Sequence, residues 1–124
     1  MEISFADREL DVMAVLWDRG SATVAEVREA LIDELAYTTV LTVLRTLEHK
    51  GHVRHEEEGR AHRYYPLVER GVAGQSALRR LTAKLFEGSP ELLLTQLVSD
   101  RRLTDEDLRR MRELLDAQLK DGES

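Results

Sequence analysis

The feature that most constrains this chain is a change of hydrophobic period at Gly51. Before it, apolar residues recur at helical spacing in three short capped segments; after it, they alternate for about a dozen residues. Ser4-Phe5-Ala6-Asp7 reads as the cap of a first helix, with Leu10, Met13, Ala14, Leu16 and Trp17 at helical spacing and Gly20 as its stop. Thr23-Val24-Ala25-Glu26 is a second capping box, opening a helix with Val24, Val27, Ala30 and Leu31 on one face. After a break at Leu35-Ala36, a third helix runs from about Tyr37 to Lys50, with Gly51 in its left-handed cap position. His52 to Glu56 and Ala61 to Tyr65 then flank Glu58-Gly59-Arg60 as a hairpin, which Pro66 closes. Three helices and a hairpin in that order are the element order of a winged helix. Only two strands are visible, so any third must be very short.

The rest is helical. One helix is expected over about Val68 to Glu87, a second capped by Ser89 with Pro90 at its first position, and a last one from Thr104 onward. The fold class is therefore mainly α with a small β-hairpin: a winged helix-turn-helix domain over 1–67 and an α-helical dimerisation arm over 68–124. The arm carries Leu78, Leu81 and Leu85, then Leu92, Leu93 and Leu97, then Leu108, Met111, Leu115 and Leu119. Short helices gain most of their stability from packing, so these stripes need a partner. They fold back on the first domain or meet their copies across a two-fold axis. The second is favoured, because pairing doubles the short half-site that one winged helix reads.

The third helix carries the chemistry. Residues rotate by about 100° along a helix, which puts Val40, Val43, Leu44 and Leu47 on the core side. Thr38, Thr42, Arg45 and His49 lie opposite, with Thr39 at the helix start, Thr46 beside the polar face and Leu41 on the flank. Threonines at 38, 39, 42 and 46 are poor helix material, since β-branching restricts the side chain. Major-groove reading supplies a reason for them: a Thr hydroxyl and methyl contact base edges or thymine, and Arg45 binds guanine bidentately. Thr38 and Thr39, at the helix N-terminus, also suit a phosphate. On the hairpin, Arg60, His62 and Arg63 reach for phosphates, contacts that position rather than specify. Glu56, Glu57 and Glu58 beside them point away, and Tyr64 and Tyr65 pack the hairpin.

Charge first argues against nucleic acid, because the formal net charge is −6. Split by position, residues 1–35 hold nine acids and three bases, residues 36–66 five bases and four acids, and residues 67–124 ten bases and eleven acids. The excess acid thus lies in the first third and need not face DNA. Arg79-Arg80 and Arg101-Arg102 read as solvated or paired charge rather than a second DNA surface.

Other classes find less support. There is no cysteine, which excludes disulfides, thiolate metal sites and a Cys nucleophile. No G-x-S-x-G, paired-carboxylate or phosphate-loop signature appears, so an enzyme is not expected. His49, His52 and His55 recur at three-residue steps, but the strand would turn the last two to opposite sides, so satisfied or solvated histidines are expected, with no metal and no cofactor. The acidic opening MEISFADRELD has no apolar core and no run is long enough to span a membrane, so a cytoplasmic protein without a membrane partner is expected. A winged helix used only for protein contacts stays open as an alternative.

The stretches ADRELDVMAVLW, AYTTVLTVLRTLEHKGHV and GRAHRYYPLV, followed by SPELLLTQLVSDRRLTDEDLRRMRELL, resemble the penicillinase-repressor family (the BlaI/MecI/CopY type) over nearly the whole chain. The resemblance implies a homodimeric winged-helix transcriptional repressor bound to a palindromic double-stranded DNA operator. By position, Thr38, Thr39, Thr42, Arg45 and Thr46 match the family's recognition helix and Arg60, His62 and Arg63 its wing. It also implies a sensor protease or other inducing factor as partner. Copper-responsive members carry Cys-x-Cys motifs that this chain lacks, and members cut by a sensor protease have Asn-Phe where this chain has Gln96-Leu97.

Overall fold

The computed structural model describes residues 4–122. The chain divides into two compact units, residues 1–78 and 79–124.

In the first unit the helices are α1 (Asp7–Arg19), α2 (Val24–Ala30) and α3 (Tyr37–His49). Three strands form one antiparallel sheet, β1 (Ala22–Thr23), β2 (Val53–Glu58) and β3 (Ala61–Pro66), in the order β1-β3-β2. The winged helix-turn-helix order is thus borne out, and the short third strand is β1, whose two residues pair with Tyr64 and Arg63.

Local signals account for most of these boundaries. At α2 the capping box forms: the Glu26 amide donates to Thr23 Oγ1 at 3.2 Å, and the Thr23 amide donates to Glu26 Oε1 at 2.8 Å. Gly51 closes α3 at φ 84°, a left-handed conformation that glycine adopts without a Cβ penalty. The start of α1 differs from expectation. Ala6, not Ser4, is the cap residue, and its amide donates to Glu9 Oε1 at 2.8 Å, so a carboxylate within the first turn replaces the Ser hydroxyl. The buried face of α1 differs too: Val12, Met13 and Leu16 are fully buried, whereas Leu10 and Ala14 are exposed.

A tertiary contact lies on the same face as these buried residues. Glu9 is buried, and Lys50, just past the end of α3, donates to both its oxygens at 2.8 and 2.9 Å. Burial alone would raise the Glu9 carboxyl, but the Lys50 ammonium and the Ala6 amide outweigh it and hold the group below its ordinary value. The core these helices enclose joins Val12, Met13 and Leu16 to Val24, Val27, Val40, Leu44, Leu47, Val53 and Tyr64. Trp17 donates its indole N–H to the Val68 carbonyl at 2.7 Å, fastening the segment after β3 to α1.

Three further helices follow: α4 (Arg70–Leu85), α5 (Pro90–Val98) and α6 (Asp105–Gly122). Glu87 and Gly88, both at positive φ, end the α4 region. Ser89 caps α5 by accepting from the Leu92 amide, and Thr104 and Asp107 cap α6 reciprocally at 3.0 Å. Neither α5 nor α6 has a buried residue. Among the described residues no helix is long and apolar enough to cross a membrane.

Candidate nucleic-acid interface

The turn into α3 is set by its neighbours. The connection Leu31–Ala36 is irregular, and Arg28 on α2 donates its Nε to the Leu35 carbonyl at 2.9 Å, holding the last residues before the helix. Val40, Leu44 and Leu47 then bury completely, with Val43 half-buried beside them. That anchoring leaves Thr38, Thr42, Arg45, Thr46 and His49 exposed on the other side, while Thr39 is half-buried. The Thr39 amide donates to the Ala36 carbonyl at 3.0 Å, so it is not free for a phosphate.

Two of the threonines on this face, Thr42 and Thr46, use their hydroxyl protons internally. Thr42 donates to the Thr38 carbonyl and Thr46 to the Thr42 carbonyl, each at 2.9 Å. Such bonds relieve the hydroxyls in a helix. They also point the oxygens back along the helix, leaving an acceptor lone pair and a methyl group at each position for a base edge. Arg45 is exposed and makes no hydrogen bond or ion pair among the described residues. Its five donors remain available to a ligand.

The wing distributes its bases unequally. Arg60 is exposed next to the turn glycine Gly59, at φ 62°. His62 is half-buried, its ring stacked on that of His55 with centroids 4.4 Å apart and planes within 15°. Arg63 is engaged on all sides: Nε donates to Glu58 at 2.8 Å, Nη1 to Ser21 Oγ at 3.3 Å, and Nη2 pairs with Glu26 at 3.1 Å. The bond to Glu58, and then the charge of Glu26, hold its guanidinium above its ordinary value against the opposing effect of desolvation. The structure therefore brings Thr38, Thr42, Arg45 and Thr46 onto one surface and sets Arg60 and His62 on the hairpin. It places Arg63 among carboxylates midway along the hairpin.

Sequence reasoning missed two things here. The Glu48 carboxylate of α3 accepts from His55 Nδ1 at 2.6 and 2.8 Å, linking α3 to the hairpin. The acidic run is also not simply turned away: Glu56 pairs with Arg54, which lies over the Tyr65 ring, and Glu58 with Arg63. The period-2 pattern could have placed residues on hairpin faces, but not the partners that α2 and α3 bring. The other histidines separate, with His52 buried against Phe5 at 4.9 Å and His49 exposed.

The arm residues singled out in the sequence lie mostly in the open. Leu78, Leu81, Leu85, Leu92, Leu97, Leu108 and Leu115 are exposed, and Leu93 and Met111 are half-buried. Gln96 and Leu97 sit in the regular helix α5. Arg102 pairs with Asp100 at 2.9 Å.

Comparison with known proteins points the same way as the geometry. The sequence matches the family described as Penicillinase repressor over residues 5–117. It is 48% identical over 73 residues to the transcriptional regulator BlaI of Mycobacterium tuberculosis, a match over 55% of this chain and 53% of that protein. The chain thus spans about half the length of that relative. It is 24% identical over 113 residues to the penicillinase repressor of Bacillus licheniformis, covering 90% of this chain and 88% of that one. Among solved structures, the DNA binding domain of the repressor BlaI superposes with a TM-score of 0.52 at 32% identity, over 56% of this chain and 88% of that one.

Proposed function

The chain belongs to the penicillinase repressor family, and from that membership we propose that it is a DNA-binding transcriptional repressor acting as a homodimer on a palindromic operator in the cytoplasm. The observation that carries the proposal is the division of α3. One face is locked into the core through Val40, Leu44 and Leu47; the other offers Thr38, Thr42, Thr46 and an unpaired Arg45. A helix held in this way can enter a major groove without reorganising, so the side chains meet base edges at little ordering cost. Arg45 reads guanine, and the threonine methyls and lone pairs read the neighbouring pairs. Arg60 and His62 approach phosphates from the wing and fix the register.

The homodimer draws support from the arm. Leu85 is 70% exposed and Leu119 69%, and α6 carries Leu108, Met111, Leu115 and Leu119 at steps of three and four. An apolar stripe of this length on a charged helix is the pattern of a surface that is covered by another helix. A second copy covers it and gives the two recognition helices the symmetry of a palindrome.

Selection of duplexes from a randomised pool, followed by binding measurements on the recovered duplex, tests the proposal. Wild-type chain enriches a defined sequence, and Arg45→Ala weakens it by about 1–3 kcal/mol while relaxing preference at one position of each half-site. Failure to enrich any sequence would favour a winged helix that serves protein contacts alone.

A further inference from the structure

The recognition helix reads in register only if the wing beside it stands at a fixed angle, and most of the wing has little to hold it. β1 pairs with β3 only at Arg63 and Tyr64, so outward from there β2 and β3 have only each other. A two-stranded ribbon of this kind is marginal on its own. Two sets of side-chain contacts meet it about midway along, one on each face. On the first face, both Glu48 oxygens accept from His55 Nδ1. The His55 ring in turn lies flat on His62 and tilts against Tyr64 at 5.4 Å. On the other face, Arg63 joins Glu58 of β2 to Glu26 of α2 and to Ser21, just before β1. The alternation of the strands requires this division, because His55 and Arg63 point to opposite sides of the sheet.

We propose that Glu48–His55 and Glu26–Arg63 are positioning contacts that strap the wing to α3 and α2 from its two faces. Arg63 then acts through carboxylates, not on DNA, and leaves the phosphates to Arg60 and His62. The inference rests on the DNA-binding reading above. The straps are partly exposed, with His55 and Glu48 side chains at 32% and 31% and Arg63 at 25%, so they contribute little to folding. A ribbon needs little to choose between orientations, and that is where they act.

The sign of the effect distinguishes positioning from charge. Glu48 and Glu26 are acids near the proposed DNA surface, so by charge alone removing either should tighten binding to a polyanion. Strapping predicts the reverse. The test uses the full chain and the duplex that the wild-type protein selects from a randomised pool, with melting temperatures measured in parallel. Glu48→Ala should weaken binding about three- to tenfold without a matching loss of melting temperature. Glu48→Gln, whose amide oxygen still accepts from Nδ1–H, should stay within about twofold of wild type. Glu26→Gln keeps the Oε1 that meets both the Thr23 amide and Arg63 Nη2 and removes only the charge of the pair, so it should weaken binding less than Glu48→Ala does. If Glu48→Ala and Glu26→Gln bind as tightly as wild type or tighter while Arg45→Ala is impaired, the straps are refuted and the DNA reading stands. If the chain selects no duplex, both fall together.

Discussion

Replacing Leu115 by Ala tests the proposed dimer at the place where a monomer has least to lose. Leu115 lies on α6, a helix with no buried residue, and is 50% exposed. Burying a whole leucine side chain contributes about 1.5–3 kcal/mol, so covering the open half contributes about 0.8–1.5 kcal/mol. In a two-fold dimer the residue occurs twice, and the loss is about 1.5–3 kcal/mol per dimer. That raises the dimer dissociation constant roughly 10- to 150-fold. Helicity should hardly change, because alanine is the best helix former. Sedimentation equilibrium over a range of concentrations measures the constant, and circular dichroism checks that α6 persists. A wild-type chain that stays monomeric throughout, or a Leu115→Ala chain with an unchanged constant, would refute the reasoning.

Two further changes probe the ion pairs and the wing. Glu9 is held below its ordinary value of 4.5, so the stability it confers is complete above that pH and is lost as pH falls through the lower folded value. Glu9→Gln should therefore cost about 1.5–3 kcal/mol in urea unfolding at neutral pH, a difference that shrinks towards zero in acid. A difference independent of pH would contradict the assignment. Arg60→Ala should lower the slope of log affinity against log salt by about 0.9 for each protomer bound, with equal weakening on specific and random duplexes. An unchanged slope would remove Arg60 from the phosphate contacts.

The parts of the fold legible in the sequence were those decided locally. The Thr23–Glu26 box, the glycine after α3 and the core face of α3 each depend on residues within a turn or two, and each formed as expected. What the sequence hid is set by partners far along the chain. On α1 the buried face takes in Glu9, whose partner Lys50 lies 41 residues away, beside Val12, Met13 and Leu16, and leaves Leu10 exposed. β1 is two residues long and exists only because β3 comes alongside it. The candidate site divides in the same way. Thr38, Thr42, Arg45 and Thr46 share a helical face that periodicity alone can place. Arg63 looks like any other wing base until folding sets Glu26 and Glu58 around it.

The symmetry of the protected DNA tests the central claim most directly. Hydroxyl-radical footprinting of the full chain on its selected duplex should give two equivalent patches related by a two-fold axis. Their centres should lie about one helical turn, or a small multiple of it, apart. Both patches should fade together when Arg45→Ala replaces the wild type. A single asymmetric patch, or protection that Arg45→Ala leaves intact, would contradict a dimer that reads its operator with α3.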